Sequence, residues 1–436
     1  NLHALNLDGK LDLLIVAHPT FAAQAERLAA HRRTHDGLTA QVVTTTQVYN
    51  EFSSGGQDVT AIRDLMRMLY ERAPASKQLY LLLFGDASYD YKADPANDAA
   101  QLPGWWKDRR PANADRIAQN FVPVYESEES FDLILNSRPG GRGITYSSDD
   151  YFGLLDEDEG AWLPNTNNEL LDVGIGRLPV RTPVGQPRND AMARLVVDKL
   201  LAYDSPAGFG KWRNRLTFVA DDGDGNLFTL SGAEPLANPI DTRQPAYNVH
   251  KVYLDMFPQT VLAAGQRSPA AERAIDEAIE QGSLLTTYIG HGGPKGWADE
   301  QILTEASVRR LQNRTRLTFM FTGTCDFSTY DNPEFTSAGE QALTDTEGGA
   351  IGLFTTTRVV YANTNQVLAN EFMRAVLERR PNGSLPRLGD VVIASKNAAL
   401  AGDNNRNFAL LGDPSMRLAY PEQQAVLTEL NGQPFS

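Results

Sequence analysis

Short apolar runs recur along this chain and alternate with amphipathic segments, and this alternation constrains the fold more than any other feature. Helical spacing of apolar residues separates several of the runs, at about residues 21–31, 59–72, 188–204 and 304–313. Strands that alternate with helices are typical of parallel sheets. We therefore predict an α/β fold of two adjacent open, mostly parallel sheets flanked by helices. The predicted strands are residues 11–17, 40–43, 78–84, 173–177, 216–220, 249–254, 284–289, 317–321 and 350–355.

The length of the chain predicts more than one folding unit. Single hydrophobic cores stop growing near about 250–300 residues, and the chain has 436. An irregular stretch at residues 87–168, rich in Asp, Pro and Gly, precedes the last strand of the first half. Loops of that length are usually functional or stabilised by a ligand. We predict an N-terminal α/β subdomain at 1–183, a second α/β subdomain at 184–422, and the start of a following segment at 423–436.

Charge and composition exclude several classes of partner. Lys and Arg number 40 against 55 Asp and Glu, a net charge of −15, which disfavours nucleic acid and anionic membrane surfaces. No apolar run reaches the ~18 residues that span a bilayer, so no direct membrane span is expected. The first residues lack the layout of a signal peptide, and we expect an excised or processed piece. One cysteine permits no intramolecular disulfide.

Two strand-like runs end in residues that suit nucleophilic catalysis. His291 follows the run at 284–289, and Cys325, the sole cysteine, follows the run at 317–321. Because parallel strands end at the same edge of a sheet, the two residues are expected side by side. A neighbouring imidazole can take the proton of a thiol whose free pKa is about 8.5. The amides of Gly292 and Cys325 could then stabilise an oxyanion. The residue types alone also fit a buried cysteine and a packed histidine.

Several longer segments resemble the gingipain family of caspase-like cysteine peptidases. Gly290-His291-Gly292, residues 296–299 and Cys325 carry the first part of the resemblance. Residues 323–328, 330–333 and 336–340 are most similar to the sortase branch of the family, which acts in type IX secretion. Further matching segments are 49–55, 84–90, 174–180 and 411–414. The resemblance spans nearly the whole chain and implies a peptidase with Cys325 as nucleophile and His291 as base.

A third catalytic group is expected after the strand at 216–220. In lysine-specific members of the family an aspartate at the end of the corresponding strand orients the catalytic histidine. Alignment of residues 217–220 with that strand favours Asp222 for this role, and Asp221 is the alternative if the alignment shifts by one residue. The alternatives are an acidic turn and a calcium loop. Asp222, Asp224 and Asn226 have the spacing that opens an EF-hand loop, but the glycine and the final Glu of that motif are missing.

Other polar residues allow metal binding or a structural role. Asp149 and Asp150 lie in the long connection, where they could bind calcium together with Asp224, or could be solvated loop charges. His31 and His35 stand four residues apart, on one face of a helix, but no third ligand accompanies them in the sequence, so a metal is not expected there. We expect that the protein requires no cofactor. A structural calcium ion is the metal that these residues suggest.

The resemblance also implies substrate-binding residues. In gingipains an aromatic residue forms one wall of the primary substrate pocket. It lies in the loop after the strand that follows the nucleophile, and residues 355–361 with Tyr361 match this loop. Arg358 would place a cation near the cleft that suits a peptide carboxylate or an acidic side chain, or would form a structural salt bridge. Trp297 is the third residue assigned to substrate binding.

The function implied by the resemblance is acyl transfer. The expected enzyme removes the carboxy-terminal sorting domain of secreted cargo and passes the acyl group to a lipopolysaccharide or related amine. Its expected partners are cargo proteins with such domains and other components of a surface attachment complex, at the outer membrane of a bacterium. Two alternatives remain: a general endopeptidase of the same family, and a secretion scaffold without turnover, against which the intact His291 and Cys325 argue.

Overall fold

The computed structural model describes most of the chain. The described residues are 1–89, 120–127, 146–160, 169–183, 186–263, 265–333, 335–400, 403–421, 428–431 and 433–434. Large parts of the predicted irregular stretch, residues 184–185 at the predicted subdomain boundary, and residues 422–427 lie outside them. The predicted boundaries at 183 and 422 therefore stay predictions.

Ten strands form one sheet, and their short apolar runs are buried. All five residues of Leu13–Ala17 and all seven of Ala350–Thr356 are buried, as expected for strands covered by helices on both faces. We number the strands of this sheet in chain order. They are β1 Leu13–Ala17, β2 Ala40–Thr44, β3 Tyr80–Phe84, β4 Gly174–Leu178, β5 Arg215–Ala220, β6 Asn248–Tyr253, β7 Leu285–Ile289, β8 Thr318–Gly323, β9 Ala350–Thr356 and β10 Phe408–Leu411.

The strand order is β2-β1-β3-β4-β10-β9-β8-β7-β5-β6. Strands β1 to β4 pair in parallel, as do β5 to β9. Strand β10 is antiparallel to β9 and meets β4 at a single bridge, Leu411 with Arg177. The α/β class and the mostly parallel pairing are confirmed. The two predicted sheets are joined edge to edge through β10 into one sheet.

Helices cover the sheet and bury one face each. In Val59–Arg72 the buried residues include Ala61, Ile62, Leu65 and Leu69, a spacing that puts them on one side. The helix predicted at 304–313 is shorter, because tight turns of three-residue spacing at Arg310 and Leu311 end it. The α-helices are Ala22–His35, Thr45–Phe52, Val59–Arg72, Ala191–Tyr203, Glu234–Arg243, Pro269–Gln281, Glu305–Val308, Ala338–Thr344, Ala362–Leu377, Leu388–Ala398 and Asp403–Arg406. None of the helices in these residues is long and apolar enough to cross a bilayer.

Contacts between the loops that follow the strands connect the two halves near one edge of the sheet. The Tyr89 amide, after β3, donates a hydrogen bond to the Asp331 carbonyl at 2.8 Å. Arg181, after β4, pairs with Asp86 at 3.3 Å and bonds to the Thr336 hydroxyl. Because Asp331 and Thr336 follow the nucleophile segment after β8, the N-terminal half supports the loops on which the candidate active site is built.

Candidate active site

Strands β7 and β8 bring His291 and Cys325 to the same edge of the sheet. The two strands pair in parallel, with Ile289 opposite Gly323. His291 and Cys325 each lie two residues beyond this pair, so the chain delivers both to neighbouring positions. The structure places them as the strand pattern predicts, and their catalytic roles stay a prediction.

The segments that carry the two residues contact each other through Gly292. A Cβ atom on Gly292 would lie 2.6 Å from Oγ1 of Thr324, so a larger residue would push the histidine loop away from the nucleophile loop. Thr324 is buried, and its hydroxyl has no hydrogen-bond partner among the described residues. Gly292 therefore brings its own backbone, one of the two predicted oxyanion donors, close to the residue that precedes Cys325.

The thiol of Cys325 contacts a backbone carbonyl in this structure. Its Sγ–H donates to the carbonyl of Val360 at 3.6 Å, and no hydrogen bond joins Sγ to His291 among the described residues. Burial raises the pKa of the Cys325 thiol, and the neighbouring Asp326 carboxylate adds to the rise. Since only the thiolate is a strong nucleophile, the thiol needs a base that approaches it when substrate binds. Catalytic hydrogen bonds are often absent or long before substrate binding.

The imidazole of His291 is oriented by Asp224. Its Nε2–H donates to Oδ2 of Asp224 at 2.7 Å, and the ring meets the edge of Phe228 with centroids 5.0 Å apart. The proton on Nε2 leaves the lone pair on Nδ1, which is therefore the nitrogen that can accept the thiol proton. The side chain of His291 is 61% exposed, so it has room to turn towards Cys325.

The predicted orienting residue, Asp222, is not the residue on the imidazole. Its Oδ2 accepts a hydrogen bond from Nε2 of Gln259 at 2.6 Å. The loop after β5 turns through Gly223 and Asp224, both with positive φ, and this turn places the carboxylate of Asp224 against the ring. The structure thus places Asp224, and not Asp222, on the imidazole. The catalytic role of either aspartate and a calcium ion at Asp224 stay predictions.

Asp221 anchors the backbone of the histidine loop. Strand β5 lies beside β7 with Ala220 opposite Ile289, so Asp221 directly follows a paired residue. Its Oδ2 accepts the backbone N–H of His291 at 2.9 Å. Burial raises the pKa of Asp221 to about 6. The sequence predicts Asp221 only as an alternative partner of the imidazole. Its contact with the backbone of His291 follows from the pairing of β5 with β7.

Comparison with known proteins assigns the chain to a family of peptidases. Residues 6–419 match the model of peptidase family C25. The chain belongs to peptidase family C25. No curated protein sequence matches it.

Two solved structures of a gingipain share the fold of this C25 peptidase. The Arg-specific cysteine proteinase gingipain R, RgpB, has a TM-score of 0.66 and 16% identity, over 94% of this chain and 78% of that chain. The complex of the pro- and mature domains of Porphyromonas gingivalis RgpB has a TM-score of 0.65 and 16% identity, over 93% and 79%. At this identity the likeness shows the fold alone.

A third solved structure is a much longer chain, and only part of that chain matches this C25 peptidase. Dimeric latent PorU from Porphyromonas gingivalis has 24% identity and a TM-score of 0.46. The match covers 97% of this chain and 31% of the PorU chain.

The predicted substrate-binding residues of this C25 peptidase divide into one exposed and two buried side chains. Tyr361 is 48% exposed and directly follows Val360, the carbonyl partner of the nucleophile. Trp297 is fully buried and stacks on Tyr288 with ring centroids 4.3 Å apart. Arg358 is fully buried and pairs with Asp331. Trp297 and Arg358 are therefore structural, and Tyr361 alone stays a candidate for substrate contact.

Asp149 and Asp150, the other predicted calcium ligands, are neutralised by buried cations. Oδ1 of Asp149 lies 2.6 Å from Nη2 of Arg177, and Oδ2 of Asp150 lies 2.6 Å from Nζ of Lys396. A calcium site needs several oxygen ligands with uncompensated charge. The structure thus gives both carboxylates a structural role and corrects the prediction of calcium at these positions.

Three carboxylates lie together beside the histidine loop. Asp221, Asp222 and Glu300 each offer an oxygen within 4.8 Å of the others. Burial raises the pKa of Glu300 as it does that of Asp221. Among the described residues near the active site, these three could hold a divalent cation. The raised pKa values of Asp221 and Glu300 show that burial opposes charge on both.

A cavity of about 890 Å³ opens on the side of His291 that faces the following loop. Its lining includes Gly293, Lys295, Asp299 and Arg309. Both signs of charge are present, and the cavity lies beside the base rather than beneath the thiol. It offers a second molecule access to the imidazole.

We expect the carboxylate of Asp224, and not that of Asp222, to support catalysis. Asp224→Asn should lower kcat/KM by at least about tenfold, because a neutral amide does not stabilise the imidazolium that forms when His291 takes the thiol proton. Asp222→Asn should change kcat/KM by less than about twofold, since the amide oxygen can still accept from Gln259. The measurement is hydrolysis of a mixture of quenched fluorogenic peptides. A larger loss in Asp222→Asn than in Asp224→Asn would restore the original assignment.

Proposed function

We propose that this domain of a C25 cysteine peptidase is a sortase of type IX secretion. It removes the carboxy-terminal sorting domain of a cargo protein and transfers the new carboxyl end to a lipopolysaccharide or a related surface amine. The observation that carries the peptidase chemistry is the placement of Cys325 and His291 at the ends of the paired strands β7 and β8. The resemblance of residues 323–328, 330–333 and 336–340 to the PorU branch supports the finer assignment.

The proposed acyl transfer has two steps, and the first forms a thioester on Cys325. Nδ1 of His291 takes the Sγ proton, and the thiolate of Cys325 attacks the carbonyl carbon of the peptide bond that precedes the sorting domain. The amides of Gly292 and Cys325 stabilise the oxyanion that forms. The protonated His291 gives its proton to the leaving amine, the C–N bond breaks, and the cargo is held on Cys325 as a thioester.

The second step resolves the thioester. His291, again neutral, takes a proton from an incoming amine as the amine nitrogen attacks the thioester carbon. The C–S bond breaks, and His291 gives this proton to the departing sulfur of Cys325, which becomes a thiol again. Water in place of the amine gives hydrolysis. The cavity lined by His291, Lys295 and Arg309 supports an acceptor route, because a second substrate can bind beside the base. The proposed location is the outer surface of a bacterium, within an attachment complex.

Two alternatives share parts of this site. A general endopeptidase would use the same Cys325 and His291 but would cleave unrelated proteins as readily as sorting-domain junctions. A scaffold without turnover would keep the fold, and the orientation of His291 by Asp224 argues against it, since an idle imidazole needs no fixed tautomer.

Mass spectrometry of the products separates these functions. The chain and its Cys325→Ala variant are each incubated with a cargo that carries its sorting domain, with an amine such as glycine amide, and with casein. We expect cleavage at the junction only by the intact chain, with the amine attached to the new carboxyl end. Equal cleavage of casein would identify a general endopeptidase. Junction cleavage by the Cys325→Ala variant would refute the thiol mechanism, and absence of any thiol-dependent product would favour the scaffold.

A further inference from the structure

Two histidines and an aspartate meet at the ends of two helices. His31 and His35 lie in the last turns of Ala22–His35, and Asp204 directly follows Ala191–Tyr203. Nε2–H of His31 donates to Oδ2 of Asp204 at 2.8 Å. One ligand atom of each of the three residues lies within 4.8 Å of the others. The third ligand that the sequence around the histidines lacks is thus supplied by a residue far along the chain.

Two of the three residues are held by further side chains, as metal ligands usually are. Oδ2 of Asp36 accepts from Nδ1–H of His35 at 3.2 Å, which leaves Nε2 of His35 as the nitrogen with a lone pair. Nη1 of Arg32 donates to Oδ2 of Asp204 at 2.7 Å. These contacts fix the tautomer of one ligand and the position of another.

Buried charges of both signs surround the three residues. Arg32 is buried among the carboxylates of Asp36, Asp204 and Asp413, and Arg387 also pairs with Asp36. Arg417 faces the same carboxylate of Asp36. The mouth of the cluster is open to an ion, because the side chains of His31 and His35 are 18% and 46% exposed.

We propose that His31, His35 and Asp204 form a zinc site that joins the two helix ends. Imidazole nitrogens with one carboxylate suit Zn²⁺ and do not suit Ca²⁺. Neighbouring ligand atoms of a tetrahedral zinc are about 3.3 Å apart, so the 2.8 Å contact of His31 with Asp204 has to open slightly. The proton of His31 moves from Nε2 to Nδ1, and Nε2 then offers its lone pair to the ion. The rings of His31 and His35 now stack with centroids 5.0 Å apart. Binding turns the half-exposed ring of His35 towards the ion, and a water completes the coordination.

This site is separate from the peptidase site. Among the described residues, His31, His35 and Asp204 form no hydrogen bond or ion pair with Cys325, His291 or Asp224, which follow β8, β7 and β5. The ion therefore acts on the packing of the two helices rather than on the thiol. Its expected effect is on stability, by binding the folded chain in preference to the unfolded one.

Calorimetric titration with Zn²⁺ tests the proposal in the Cys325→Ala chain, which lacks the thiol that would compete for the ion. We expect one binding event that is weakened at least tenfold in His35→Gln and His31→Gln and unchanged in His3→Gln, an exposed histidine elsewhere. Zn²⁺ should raise the melting temperature of the parent and of His3→Gln but not that of His35→Gln. Ca²⁺ should not compete. Because His35 is half exposed, His35→Gln should fold normally, which circular dichroism checks.

Spectroscopy identifies the ligands independently of affinity. Co²⁺ in place of Zn²⁺ should give the intense visible absorption of a four-coordinate ion in the parent, and His35→Gln should lose it. The proposal is overturned if Zn²⁺ binds the parent and both histidine variants equally, or if the parent binds no Zn²⁺ in the micromolar range.

Discussion

Cys325→Ala is expected to lower kcat/KM by about 10⁴-fold or more, the largest effect on activity of any single substitution in this chain. No second cysteine can replace it. The remaining site could still bind a peptide and polarise its carbonyl, but it would have no atom that forms the thioester. The measurement is kcat/KM with fluorogenic peptides, and unchanged melting of the variant shows that the fold is intact.

His291→Gln provides the matched comparison, because base and nucleophile act as a unit. Each single variant should lose nearly as much activity as the double variant, as expected when neither residue functions without the other. Strictly additive losses in the double variant would show that His291 does not activate Cys325. Substantial activity in Cys325→Ala would mean that another residue is the nucleophile.

Alkylation of the thiol tests the resting state. Because burial raises the pKa of Cys325, iodoacetamide should react slowly at neutral pH, and the rate should rise about tenfold per pH unit until the thiol ionises. The sole cysteine makes the mass shift unambiguous. A fast reaction that is independent of pH between 6 and 8 would show a thiolate already formed, contrary to the Val360 contact.

The order of strands and helices could be predicted because burial acts on short local runs. Strands β1 and β3 are apolar along their whole length, and β7 and β8 are buried along theirs, as sheets covered on both faces require. Strand β10 was not predicted. It has four residues, is followed at once by Gly412 with positive φ, and pairs antiparallel to β9. Four residues are too few to show a clear alternation of apolar and polar side chains. The strand with which β10 pairs is determined by the fold and not by the residues next to it in sequence.

The nucleophile and base could be found from sequence, whereas their partners could not. Cys325 and His291 follow strands, so the ends of the strands locate them. Asp224 reaches the imidazole only because the loop after β5 turns through residues with positive φ. A shift of two residues in such a loop exchanges one aspartate for another, and nothing in the local sequence decides between them. Asp204 is a similar case, since it meets His31 through the packing of two helices.

The exposure of individual side chains near the active site could not be predicted from the sequence either. The family resemblance predicts Trp297 and Arg358 at the cleft, because both lie in segments that match the family. Trp297 instead fills the space under the histidine loop, between Tyr288 and Phe327. A large side chain near an active site in sequence is as well suited to supporting the loop from inside as to contacting a substrate.

Arg358→Met is expected to lower the free energy of unfolding by about 3–5 kcal/mol, the largest effect on stability that the ion pairs predict. The guanidinium is fully buried and forms two hydrogen bonds to the carboxylate of Asp331, with Glu126 3.6 Å away. Its removal leaves buried negative charge without a partner. Arg358 also accepts the backbone N–H of Asp326 through its carbonyl at 3.1 Å, so the lost pair would loosen the segment that carries the nucleophile.

Arg374→Met is the control, because Arg374 also pairs with two carboxylates but on an exposed helix surface. Its substitution should change the free energy of unfolding by less than about 1 kcal/mol. The double variant Arg358→Met/Asp331→Leu should be less destabilised than Arg358→Met, since it removes the unpaired charge as well. Urea unfolding measures all three. If Arg358→Met kept the parental stability and instead raised KM for peptides with acidic residues, Arg358 would be a substrate ligand and the buried pair would be dispensable.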